Sequence, residues 1–233
     1  MADNDKRIYL IIGEKTNFNR TIKSSVDINE LYEKNMISEA TYNDLISIYP
    51  DAKMKCWGFP DNKNKDNVWA RMNEDDLCLM YNDDQIVMSG IFKYRFHNQE
   101  VAEYIWESDG IPFEYIFCLD DVHILDVASE KILIDEFGYK KSFIMGANPL
   151  ANSRLERVLN KYGSIDNFRK EIEKDNRTDI LYSSNSWRIL AEDIFLKIID
   201  KSVLHNNGSG IPKDIIKYFE IEGIAEGSNR EII

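Results

Sequence analysis

The chain is poor in the residues that build redox, metal and nucleophilic chemistry. Its three cysteines, Cys56, Cys78 and Cys118, follow one another at spacings of 22 and 40 with no CxxC pair, which suits neither a disulfide framework nor a zinc site. Cys78 in Leu-Cys-Leu-Met and Cys118 in Ile-Phe-Cys-Leu read as small core residues. The three histidines, His97, His123 and His205, form no HxH or HExxH arrangement, and GxSxG and P-loop patterns are missing. The nearest approach to a nuclease-type ExK is Asp126 followed by Glu130-Lys131, whose spacing does not share one strand face. No catalytic residue, metal site or cofactor is therefore expected. Long apolar runs are also missing. Nothing approaches the roughly 20 residues of a membrane helix, and the polar start Met-Ala-Asp-Asn-Asp is no signal peptide. A cytoplasmic protein without a membrane partner is expected.

Positive charge is scarce as well. The 233 residues hold 29 Lys and Arg against 41 Asp and Glu, a net −12. That balance argues against a broad, sequence-blind grip on nucleic acid, which comes mostly from phosphate neutralisation, and leaves room only for a local basic face. Apolar residues at 43% and charged residues at 30% are ordinary for a globular protein.

What is present reads as a mixed α/β chain. Ile8-Tyr9-Leu10-Ile11-Ile12, closed by Gly13, is a buried first strand. Asp27 with Glu30 three residues on opens a helix, and a second runs from Ser38 to the stop at Pro50. This helical hairpin, residues 27–50, looks like an insertion. The runs 77–81 and 86–92, split by Asn-Asp-Asp-Gln, form a hairpin. Asn98 caps a helix ending at Trp106, and two strands, 113–119 and 122–127, are expected to turn at Asp120-Asp121. From Pro149 the pattern becomes helical: a stripe from Ala151 to Tyr162 closed by Gly163, a helix with Phe168 and Ile172, a third from Trp187 to Ile198, and a fourth through Ile215 and Phe219.

One segment differs in kind. Residues 53–71 carry Lys53, Lys55, Lys63, Lys65 and Arg71 against Asp61 and Asp66, a local +3 within a chain of −12. The same segment holds Trp57 and Trp69. A tryptophan in a loop amid lysines is poorly explained by core packing, and two facing tryptophans, Trp57 and Trp106, can sandwich a flat base at roughly 1–3 kcal/mol per stack. Trp69 and Trp187 read as core.

The order of these elements resembles the YTH domain and its EVE relatives in the PUA-like superfamily. The apolar strand to Gly13, then Cys56-Trp57-Gly58, the hairpin with Gly90 in its second strand, Trp106, and Tyr115-Ile116-Phe117 carry the resemblance, which covers residues 7–127 and reaches towards the helix at 151–162. It implies an α+β fold, a twisted β-barrel-like sheet flanked by helices, with a C-terminal helical appendage. It also implies a modified-base cage of Trp57, Gly58, Trp106 and Ile111, with Thr16 or Asn17 touching the ring. Lys55, Lys63, Lys65, Arg71, Lys93 and Arg95 would hold the nucleic-acid backbone. The expected division is 1–163 as reader domain and 164–233 as helical appendage.

Three departures set this chain apart: the insertion at 27–50, the acidic charge, and the tail beyond 163. The expected function is recognition of a modified base, with DNA favoured over RNA. The base would be flipped from the duplex, and the chain would serve as the recognition module of a modification-dependent restriction or defence system, alongside a nuclease or motor domain. A homodimer through the C-terminal helices is the expected self-association. The rival readings are a nuclease with unrecognised metal-binding carboxylates, an RNA modified-base reader, and a protein-interaction module.

Overall fold

The computed structural model describes residues 6–106 and 112–174, except the side chains of 63 and 64, together with the backbone of three strands at 182–184, 187–191 and 194–197. The chain divides into two units, Met1–Asn176 and Arg177–Ile233.

The first unit is an α+β fold on a seven-stranded mixed sheet. Its strands are β1 (Ile8–Ile12), β2 (Val26–Asp27), β3 (Lys53–Phe59), β4 (Leu77–Asn82), β5 (Gln85–His97), β6 (Tyr115–Ala128) and β7 (Asn148–Pro149), in the order β2-β3-β6-β5-β4-β1-β7. Only β1 and β4 run parallel. The apolar run of β1 is explained by burial on both faces: Ile8 and Leu10 face one apolar cluster, Tyr9 and Ile11 another.

Local chemistry sets most element ends. The Asp27 carboxylate accepts from the backbone N–H groups of Asn29 and Glu30 to open α2 (Ile28–Glu33), and Ser38 Oγ accepts from Thr41 N to open α3 (Glu39–Ile48). Asn98 Oδ1 accepts from Val101 N at 2.9 Å at the head of α5 (Gln99–Trp106). Gly163, at φ +78°, closes α6 (Asn152–Tyr162). The β4–β5 turn puts Asp83 and Asp84 at φ +46° and +61°, the pairing that matches a hairpin's twist.

Three expectations are corrected. Asp120-Asp121 is not a turn, because β6 runs unbroken from Tyr115 to Ala128. Asp121, at φ +46°, sits in a bulge where two residues of β6 face Gly90 alone, between the pairs Ser89–His123 and Ile91–Asp120. The expected helix from Trp187 is a small antiparallel sheet in the second unit: β8 (Tyr182–Ser184), β9 (Trp187–Ala191) and β10 (Ile194–Lys197). The segment around Trp57 is the strand β3 rather than a loop. The expected helix through Ile215 and Phe219 lies outside the described residues.

Three apolar clusters hold the first unit. One joins the sheet to α6 and α7 (Ile165–Lys174). A second fills the opposite face of β1 and β4 and includes Trp57. The third packs α2, α3 and α5 on β3 and β6 and includes Trp106. All three cysteines are buried.

Candidate nucleobase site at Trp57 and Trp106

Two neighbouring elements bring the two tryptophans together. Trp57 lies on β3, paired with Phe117, and Trp106 is the last residue of α5. Their ring centroids are 6.4 Å apart with an interplanar angle of 69°. Both rings are nearly buried, at 3% and 4% exposure. Edge-to-face contact is a favourable aromatic geometry, but it is closed. A base stacked between two parallel rings needs roughly 7 Å between them, twice the contact distance of about 3.5 Å.

Gly58 makes the approach of Trp106 possible. A Cβ there would stand 2.4 Å from the Phe113 carbonyl oxygen and 2.8 Å from Trp106 Cη2. Phe113 packs on Trp106 from another side at 5.9 Å between centroids. The indole N–H of Trp106 is buried and has no hydrogen-bond partner among the described residues. Such a donor is rare in a folded chain, because leaving it unpaired costs about 1–3 kcal/mol.

Thr16 and Asn17 occupy α1 (Lys15–Phe18), whose first turn is held by Glu14: its carboxylate accepts from Thr16 N at 2.9 Å and Asn17 N at 3.0 Å. Those two backbone bonds hold the Glu14 carboxyl below its ordinary range. Thr16 is exposed and Asn17 half-buried. The wide π-type turn that follows, Asn19–Lys23, packs against both β3 and α5. Ile111 lies outside the described residues.

The basic residues expected on the nucleic-acid backbone are engaged within the fold. Lys55 Nζ donates to the carbonyl of Ile22 and to that of Ser24 at 3.2 Å, closing the C-terminal end of that wide turn. Burial pushes its pKa down. Arg95 Nη1 donates to the carbonyls of Trp69 and Met72, both at 2.8 Å, and its guanidinium lies 5.4 Å from the centre of the Trp69 ring. Lys93 pairs with Asp75 at 2.6 Å, and Lys65 pairs with Asp61. In both lysines that hydrogen bond raises the pKa. Arg71 Nε donates to the Asp66 carbonyl at 3.1 Å. The side chain of Lys63 is outside the described part of the structure. Trp69 is only half-buried and donates from Nε1 to the Ile116 carbonyl at 2.8 Å.

Among the described residues, no group of three or more His, Cys, Asp or Glu side chains is placed to hold a metal ion, and no helix is long and apolar enough to cross a membrane. Sequence reasoning missed Phe113 as a packing wall and the unpaired indole N–H. The Phe-Glu-Tyr-Ile-Phe run carried the first signal, and nothing in a sequence carries the second.

No protein-family model matches the chain, and neither does any curated protein. Among solved structures, the N-terminal domain of Thermococcus gammatolerans McrB bound to m5C DNA shares the fold. Its TM-score is 0.51 at 16% identity, and the match covers 72% of this chain and 99% of that one.

Proposed function

We propose that the first unit is a PUA-like, YTH/EVE-type reader that binds a modified base flipped from DNA, as the recognition module of a modification-dependent restriction or defence system. Trp57 and Trp106 hold the base, with Ile111 as a further wall and Asn17 or Thr16 at its edge. The reading draws on the shared fold with a domain bound to m5C DNA. The observation that carries it is the buried Trp106 N–H, which has no acceptor among the described residues, beside a second tryptophan and a glycine that admits no side chain. A base supplies what that constellation lacks: a flat face to stack on Trp57 and, on its edge, carbonyl or ring-nitrogen acceptors for the Trp106 N–H, which points outward in the plane of its own ring. Admission of the base requires the Trp106 ring to turn out of its edge-on contact, so the closed pair is the resting form.

Trp106→Phe tests this directly, because it keeps an aromatic face and removes the donor. Affinity should be measured for duplexes carrying a single 5-methylcytosine or a single N6-methyladenine, against the unmodified duplex. The variant should lose about 0.5–1.5 kcal/mol of binding to the modified duplex, the net worth of one hydrogen bond, with a native-like circular dichroism spectrum. Full retention of affinity, or no preference for a modified duplex by the unaltered chain, would overturn the assignment.

A further inference from the structure

Residues 138–146, Gly-Tyr-Lys-Lys-Ser-Phe-Ile-Met-Gly, form a loop between the first unit's helical turn at Lys131–Glu136 and β7. Its tip exposes two large apolar side chains, Met145 at 82% and Phe143 at 42%. Loops normally keep such groups covered, and here the neighbours are covered: Ile144 packs on the cluster under α6 and α7, and Ala147 is buried in the cluster that contains Trp57 and Phe59. The chain therefore alternates out, in, out before it rejoins the sheet.

The projection is held in place. Ser129 Oγ donates to the Ser142 carbonyl at 2.6 Å, and Asn148 Nδ2 donates to the Gly146 carbonyl at 3.1 Å. Gly138 and Gly146 bracket the loop at φ +68° and +77°, a backbone that favours glycine.

The surroundings are basic in an acidic chain. Residues 135–163 hold Lys140, Lys141, Arg154, Arg157 and Lys161 against Asp135, Glu136 and Glu156, five minus three, or +2 within a total of −12, with Lys161 paired to Glu136 at 2.8 Å. Lys140 and Lys141 are exposed, and Lys141 lies 5.0 Å from the centre of the Phe143 ring. At the foot of the loop, Arg154 stacks on Tyr139 at 3.8 Å.

An exposed apolar point flanked by lysines matches a duplex that has lost one base from its stack. Proteins that kink or open DNA insert Met, Phe or Leu between base steps while lysine and arginine hold the adjacent phosphates. Extruding a base leaves such a gap, and filling it offsets part of the lost stacking. We infer that loop 138–146 is the wedge that enters the DNA duplex, with Met145 and Phe143 filling the gap left by the extruded base and Lys140 and Lys141 on the flanking phosphates. The inference rests on the base-reading function proposed above. The loop leads into Ala147, which is buried in the cluster that contains Trp57, and β7 touches α4 (Lys63–Asn67), the helix that follows the Trp57 strand.

The test uses the full chain and three variants, Met145→Ala, Phe143→Ala and the pair Lys140→Ala with Lys141→Ala. Each is measured against a duplex with one 5-methylcytosine or one N6-methyladenine, the unmodified duplex, and the same modified oligonucleotide as a single strand. A single strand leaves no gap to fill. Met145→Ala and Phe143→Ala should weaken the modified duplex roughly tenfold and leave the single strand within about twofold. The lysine pair should weaken modified and unmodified duplexes alike and flatten the salt dependence of binding. Because these side chains are exposed, melting temperatures should not move. A preference for the modified base by the unaltered chain, with unchanged duplex binding in Met145→Ala and Phe143→Ala, overturns the wedge alone. Equal losses on duplex and single strand also overturn it. No preference by the unaltered chain overturns the base-reading function and the wedge with it.

Discussion

A Cβ on Gly58 would press against two groups of different stiffness: the Phe113 carbonyl, which is backbone, and the edge of the Trp106 ring. The carbonyl is the closer of the two, at 2.4 Å, so relief of the clash has to move the entrance to β6 as well as the ring. Gly58→Ala should therefore push Trp106 off Trp57 and destabilise the unit by about 1–3 kcal/mol, the usual range for an overpacked site. Thermal melting checks the second effect, and the near-ultraviolet circular dichroism of the tryptophans checks the first. A variant with both signals unchanged would mean that Trp106 is not held where the structure places it. Arg95 and Lys55 teach a related lesson about charge. Both lie in or beside a basic segment, yet their donors are spent on backbone carbonyls, so their first role is to satisfy buried acceptors that would otherwise be costly.

At the scale of elements, α7 shows how a helix that reads as an appendage becomes part of the core. Its Arg169 is buried, donates from Nη1 to Asp121 Oδ2 at 2.7 Å and from Nε to Glu173 at 2.6 Å, and also reaches the Asp121 carbonyl. Glu173 in turn accepts from the buried Ser89 hydroxyl at 2.6 Å. The helix is thereby tied to the bulge in β6. Burial alone would push the Asp121 carboxyl up, but the hydrogen bond from His123 and the charge of Arg169 outweigh it and hold the group below its ordinary value. A carboxylate held down in the fold contributes stability that is complete above its unfolded pKa of about 3.9 and is lost as pH falls through the lower folded value. The melting temperature should thus decline below about pH 4 in the native chain, and less steeply in Asp121→Asn. Asn tolerates the positive φ at this position, which keeps backbone strain out of the comparison. Identical acid limbs would remove Asp121 from the docking of α7.

These elements also mark what the sequence could convey. Caps at Asp27, Ser38, Asn98 and Gly163 act within four residues, so local reading finds them. The strand β3 shows a period of two only over its first half, where Lys53 and Lys55 alternate with the buried Met54 and Cys56; Cys56 to Phe59 are all buried, so the alternation stops where the tryptophan begins. Residues 187–197 place apolar groups at spacings that serve a helix or a strand equally, and only pairing with β8 and β10 decides. The pairing of Trp57 with Trp106 was legible as an order of motifs. Their edge-on contact and the unpaired N–H depend on Phe113 and Gly58 meeting in space, and no linear pattern encodes that. The basic loop at 138–146 was in plain sight as a stretch without acids, yet its exposed tip is a property of the fold.

For the whole molecule, the question is where the folding unit ends. The sequence pattern suggests Gly163, a C-cap followed by alternating charges. The first unit instead runs through Asn176, and α7 buries Ile165, Phe168 and Ile172 to 3% exposure or less. Phe168 packs on Phe137 and Tyr162 at 5.5 and 5.4 Å between centroids. Burying each such side chain is worth about 1.5–3 kcal/mol, so the three together come to roughly 5–9 kcal/mol, against a total stability of about 5–15 kcal/mol for a domain. A chain ending at Gly163 should therefore be largely unfolded, and one ending at Asn176 should melt cooperatively. The longer form should also keep its preference for a duplex with one modified base, because Trp57, Trp106 and the 138–146 loop all lie within it. Circular dichroism melts of the two truncated chains, with binding measured for the one that folds, decide the matter. Equal stability of the two would make α7 dispensable, and a folded 1–176 chain that lacks a base preference shown by the full chain would overturn the assignment of the site to the first unit.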